Sequence, residues 1–189
     1  AYYSSEEKSL NNTEKELFFC IHKTYDLYHY LFALVIDIAD YAEGRIEIKK
    51  NKHQPTHEDL HPNTKFVSNL FINQLRSNRQ LNAYLKQTKL SWVNHPELIK
   101  ELYLIMIESE IYDEYKNSEI RSYVDDRKFI EKIFNKIFLV SEELYEVLEE
   151  QSIYWNDDIE FVISVITKNY QKVQRIQRFR PAADANVQG

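Results

Sequence analysis

The stretch 14–35 reads EKELFFCIHKTYDLYHYLFALV, and its apolar residues fall at helical spacing. Leu17, Cys20 and Ile21, Tyr25, Tyr28, Leu31 and Phe32, and Val35 recur every three or four residues, with Ile38 and Ala39 continuing the series. Such a period lines them up along one side of an α-helix. Thr13, with Glu16 three residues on, offers a capping box, so the pattern predicts a helix that starts near Thr13. Between Tyr30 and Ile36 the run is apolar all round, which predicts cover on several faces and a buried helix. The helix is expected to extend to near Asn51, with Gly44 as a weak point. Cys20, between Phe19 and Ile21, reads as a core thiol that apolar burial keeps inert.

Outward from this helix the same logic continues. Pro55 and Pro62 make 51–63 a loop. Phe66 to Leu75 predicts a short helix, and Leu81, Tyr84 and Leu85 another. Asn94 and Pro96 mark a helix start, followed by Leu98, Ile99, Leu102, Tyr103 and Met106. Ile111, Tyr112 and Tyr115 fit a short turn of helix. Ser122 with Asp125 opens a helix whose stripe is Phe129, Ile130, Ile133, Phe134, Ile137 and Phe138. Ser141 to Gln151 is short, acidic and amphipathic. Asn156, Asp157 and Asp158 suit the start of a last helix, by capping and by the helix dipole, that runs to about Phe179. The expected architecture is all-α, an irregular helical bundle with one long central helix. Residues 1–180 form a single helical domain, or two packed helical subdomains, and 181–189 a flexible tail.

Composition agrees and excludes much else. The chain has 189 residues with 43% hydrophobic and 14% aromatic, enough for a packed core. Two glycines and four prolines are too few for the turns of an all-β fold. With glycine only at Gly44 and Gly189, no phosphate-cradling loop, dinucleotide fingerprint or nucleophile elbow can be written. A formal net charge of −6 argues against a free-standing, sequence-indifferent nucleic-acid binder. The single cysteine fits a reduced, cytoplasmic compartment. His29, Asp37 and Asp40 interrupt the most apolar helix, so it is not expected to span a bilayer.

Few residues suggest chemistry. His22, Asp26 and His29 share a helix face at i, i+4 and i+7, a spacing that three metal ligands use. A polar stripe in which His pairs with Asp and Tyr hydroxyls is the favoured reading of them. Asp26-x-x-His29 and Glu58-x-x-His61 echo the carboxylate–histidine pairs of di-iron bundles, but His61 precedes a proline, which disfavours helix there. His53, His57 and His61 recur every four residues across Pro55, which breaks the helix that would align them. No metal, no cofactor and no enzymatic activity is expected. The Tyr and Phe stripes read as core packing rather than base-stacking platforms.

Two charge clusters remain. Lys168, Lys172, Arg175, Arg178 and Arg180 form a basic run without an acidic residue, three of them on one helix face. Such a stripe neutralises phosphates, or else it is the solvated end of a terminal helix. Glu142, Glu143, Glu146, Glu149 and Glu150 form the opposite cluster, a partner surface for a basic protein or a solubilising one.

As a string, 14–35 resembles the extended form of the bacterial transcription antitermination factor NusB. So, in order, do PTHEDLHPNTKFV (55–67), LSW (90–92), ESEIYDEY (108–115), DRKFIEKIF (126–134) and LEEQSIYWNDDIEFVIS (148–164). The resemblance reaches to about Phe179. It implies a non-enzymatic factor that binds boxA-like single-stranded RNA jointly with the ribosomal protein doubling as NusE, within the RNA polymerase antitermination complex. Proteins of this family start with a short basic helix bearing their arginine-rich RNA-contacting segment, and end in a C-terminal helical subdomain. Neither has a match here, so the chain is expected to be a fragment, and none of those RNA contacts transfers to a numbered position. The alternatives are a helical protein–protein interaction scaffold without RNA contact, and a helical metalloenzyme using His22, Asp26 and His29.

Overall fold

A computed structural model describes the backbone of residues 2–178 and the side chains of 13–168. Helix α1 (Tyr2–Lys50) is a single helix of 49 residues, about 74 Å long at about 1.5 Å per residue. It begins earlier than its apolar period predicts. Thr13 is inside it rather than capping it, and Gly44 does not interrupt it.

Only part of α1 is buried. Leu27, Tyr30, Leu31, Leu34, Val35, Ile38 and Ala39 are in the core. Leu17, Phe18, Phe19 and Ile21 are exposed, and Cys20, expected among core residues, is exposed with them. The cause is where the surrounding helices attach. Helix α9 (Trp155–Arg178) is anchored at Lys23 and Thr24: the Trp155 indole N–H donates to the Lys23 carbonyl at 2.9 Å, and the Thr24 hydroxyl to Asp158 at 2.7 Å. Among the described residues before that point, Phe19 meets Tyr154 edge-on, 5.6 Å between ring centroids. An amphipathic period shows which side of a helix is apolar but not whether a neighbour exists to cover it.

The remaining helices wrap the buried part of α1. They are α2 (His57–Leu60), α3 (Leu70–Ser77), α4 (Arg79–Thr88), α5 (Pro96–Glu108), α6 (Glu110–Asn117), α7 (Tyr123–Lys136) and α8 (Glu142–Gln151), with a 3-10 turn at Phe138–Val140. The described residues contain no strand, and none of their helices is long and apolar enough to cross a membrane. Side-chain caps set the starts: Asn69, Asn78, Ser109, Ser122 and Ser141 each accept a backbone N–H from the first turn. The expected loop at 51–63 contains one helical turn, α2, closed by a reciprocal capping box between Thr56 and Asp59. Phe66, expected within a helix, precedes α3 in a turn. Helix α5 starts at Pro96, as expected, with His95 rather than Asn94 at its N-cap. The tail at 181–189 lies outside the described residues.

One continuous apolar cluster runs from Leu27 to Ile166, and all six residues of the Phe129–Phe138 stripe are in it. Two polar clusters sit inside this core. The Lys65 ammonium, 1% exposed, donates to the carbonyls of Tyr115 at 2.6 Å and Ser118 at 2.9 Å. Asp125 lies 3.7 Å from it, and the Tyr115 ring 4.4 Å. Beside it the Tyr115 hydroxyl donates to Asp126 at 2.6 Å, the Asn69 amide donates to the Tyr115 oxygen and the Asp126 carbonyl at 3.1 Å, and the Leu70 N–H to Asp126 at 2.8 Å. Buried charge and hydroxyl are thus satisfied by protein partners, as burial requires.

Candidate functional site

The sequence-derived candidates fall in different places. Lys168 is exposed on α9. Lys172, Arg175 and Arg178 lie further along the same helix, with their side chains outside the described residues, and Arg180 is outside altogether. Glu142, Glu143, Glu146, Glu149 and Glu150 are all exposed on α8, opposite its buried Leu144 and Leu148. Ser141 donates to Glu143 at 3.1 Å, and the Asn156 amide to Glu149 at 3.4 Å, so part of the cluster serves the local junction.

The His22–Asp26–His29 triplet is not gathered as ligands. Asp26 accepts the Tyr84 hydroxyl at 2.7 Å and lies 3.9 Å from Lys23. The His29 Nδ1 donates to the Tyr25 carbonyl at 2.8 Å, one turn back on its own helix, rather than to a carboxylate or phenol. Glu58 and His61 belong to α2 and its C-cap, where Lys52 pairs with Asp59 at 3.0 Å. His57 and His61 stand 4.5 Å apart, ring to ring, because that turn is helical, while His53 stays exposed before Pro55. Among the described residues no group of three or more His, Cys, Asp or Glu side chains is placed to hold a metal ion.

What sequence reasoning did not anticipate is an open groove of about 1330 Å³ along α1, walled by α3, α4, α7 and α9. Its aromatic wall is tightly built. The His29 ring is stacked on Tyr84, with centroids 4.2 Å apart, and edge-on to Tyr25 and Tyr28 at 4.3 and 5.3 Å. Burial holds the His29 imidazole below its ordinary pKa, against the opposing pull of the Tyr25 carbonyl and Asp26. Burial and then the bonded Asp26 carboxylate push the Tyr84 phenol up. Both groups are therefore neutral near pH 7. Arg127, buried on α7, reaches the groove and pairs with Glu131 at 3.3 Å. No single stretch signals this groove, because its walls come from five helices spread between Ile21 and Val165.

No family model, curated protein or solved structure matches the chain.

Proposed function

We propose that this chain is part of a NusB-like transcription antitermination factor, a cytoplasmic, non-enzymatic protein that acts on boxA-like RNA together with NusE. The observation that carries this reading is the ordered run of matching strings across 14–164. Residues inside those strings make the buried junctions of the fold: Lys65, Tyr115, Asp126, Trp92 and Trp155. Such junctions fix an architecture, so the resemblance supports a shared scaffold more directly than a shared RNA contact. Function follows by binding, with no chemical step. On the chain itself the stripe that begins at exposed Lys168 supplies the phosphate contacts.

An electrophoretic shift assay with boxA RNA, with and without NusE, comparing this chain with the longer protein that the resemblance implies, tests the proposal. The longer protein is expected to bind and this chain alone to bind weakly. Absence of binding by the longer protein, at low salt and with NusE present, overturns it.

A second reading, a protein–protein scaffold without RNA contact, is favoured by one observation: Leu17, Phe18 and Ile21 present an uncovered apolar face on α1. A salt titration separates the two, because phosphate neutralisation gives log affinity a steep negative slope against log salt.

A further inference from the structure

We propose that the groove beside α1 is a nucleobase site, in which an unstacked base of single-stranded RNA stacks on exposed rings and meets the imidazole of His29. This rests on the RNA-binding reading above and gives it a location within the described residues.

The first argument is charge. The chain carries 30 acidic residues, yet none of the side chains lining the groove is a carboxylate. The carboxylates that touch lining side chains, Asp26 at Tyr84, Asp158 at Thr24 and Glu131 at Arg127, are held by those partners and do not themselves line the groove, which lowers the obstacle to a polyanion there. Helix α9 extends the argument. Phe161 and Val165 line the groove, and Lys168 follows at i+7 and i+3 on the same side of the helix. The wall thus passes from an aromatic ring to a cation within about two turns, the order in which a base and its phosphate would meet it.

The second argument is the rings. Phe161 and Tyr25 are 62% and 51% exposed at the groove. Large rings left half in water, next to free space, are what base stacking uses, at about 1–3 kcal/mol per base.

The third is His29, which is only 8% exposed. Its Nδ1 is committed to the Tyr25 carbonyl, so that nitrogen carries the proton and Nε2 holds the lone pair. No described residue hydrogen-bonds Nε2, and the His29 ring lines the groove. A neutral, fixed, deeply set acceptor flanked by tyrosines suits an N–H on the edge of a flat ring. Gln80 and Gln87 of α4, exposed at the groove, can serve the remaining edge atoms.

The test uses this chain, nitrogen-15 labelled, titrated with uridine monophosphate and with 3-methyluridine monophosphate. The methyl group removes the only N–H on the edge of uracil and leaves its ring and phosphate in place. The expected result is a shift of the His29 Nε2 resonance with the first nucleotide and about tenfold weaker binding of the second. Tyr25→Ala, at an exposed position, should weaken uridine monophosphate by about 5- to 150-fold, the stacking energy above expressed as a ratio. His29→Phe should erase the discrimination between the two nucleotides. Equal affinity for both nucleotides, or no shift at His29 with either, overturns the proposal even if the chain binds RNA elsewhere. If Tyr25→Ala and Phe161→Ala leave nucleotide binding intact but abolish association with NusE, the groove is a protein seat and the proposal falls. If the nucleotides bind as expected but neither this chain nor the longer protein binds boxA RNA, the groove stands and the antitermination reading fails.

Discussion

Trp92 lies flat on Tyr30, with centroids 3.8 Å apart and planes 8° from parallel, and its indole N–H donates to the Tyr30 backbone carbonyl at 2.8 Å. One side chain thereby joins the segment before α5 to the middle of α1 by both ring contact and hydrogen bond. Trp92→Phe keeps a ring but removes the donor and part of the volume. It should cost roughly 1–3 kcal/mol, measured as a lowered urea midpoint at unchanged slope. Phe134→Ala, at a fully buried ring in the core, should cost more, roughly 3–5 kcal/mol. A loss below about 1 kcal/mol at Phe134 would mean that its stripe is not packed.

Tyr115→Phe isolates one oxygen. The ring and its stack on Phe129, 3.9 Å between centroids, remain, while Asp126 loses a 2.6 Å donor and Asn69 an acceptor. The expected cost is about 1–3 kcal/mol. A neutral outcome would show that water takes the place of the hydroxyl.

Asp37 gives a pH dependence. It is half-buried on α1, no described cation pairs with it, and burial followed by the Asp40 charge pushes its pKa from 3.8 up to about 6. A carboxyl with a raised pKa binds its proton more readily in the folded chain. Its favourable contribution is therefore complete below about pH 3.8 and is lost as pH rises through about 6. Asp37→Asn should stabilise the protein by roughly 1–3 kcal/mol at pH 7.5 and by little at pH 3.5, read from thermal unfolding at both values. Equal gains at both would assign the effect to something other than ionisation.

Two backbone positions carry the wrong residue for their conformation. Gly44 is inside α1, with nothing within 4 Å of where a Cβ would stand. Gly44→Ala should stabilise by about 0.5–1 kcal/mol. Lys89, exposed at the C-cap of α4, adopts a left-handed φ of 59°. Lys89→Gly should stabilise by about 1 kcal/mol by relieving the clash of its Cβ. The double variant should sum the two, since the sites lie on different helices and nothing stands within 4 Å of a Cβ at Gly44.

Replacing Lys168, Lys172 and Arg175 with Glu should abolish the residual RNA affinity of this chain, with dissociation constants on the order of 10⁻⁴–10⁻⁶ M before the change. The longer protein should be weakened much less. A filter-binding series across salt concentrations reads both, and each lost phosphate contact should flatten the slope by about one. Specific, tight boxA binding by this chain alone would instead place recognition within its own residues.

The stripes at Leu98–Met106 and Phe129–Phe138 were legible because each helix in them has one apolar side and a neighbour that covers it. Leu17 to Ile21 shows the limit: the period was right and the burial was not, since cover is a property of what attaches beyond Lys23. Lys65 shows another. A lysine between Thr64 and Phe66 reads as surface, and it is buried because carbonyls some 50 residues further along the chain come back to meet it. His29 was singled out for its spacing to Asp26. Its actual setting, between tyrosines of its own helix and of α4, depends on helices that no local period relates.

Helix α1 also fixes an azimuth. Each residue turns the helix by about 100° and advances it by about 1.5 Å, and no break separates Leu17 from Leu27. The direction in which Leu17 and Phe18 point is therefore geared to the core by residue count alone. One residue inserted between them and Leu27 would swing that face through about 100°, whereas four would swing it only about 40° and carry it outward by about 6 Å. The exposed stretch 17–21 behaves as ruler and dial together, so that anything seated on it meets the bundle at a set distance and a set angle.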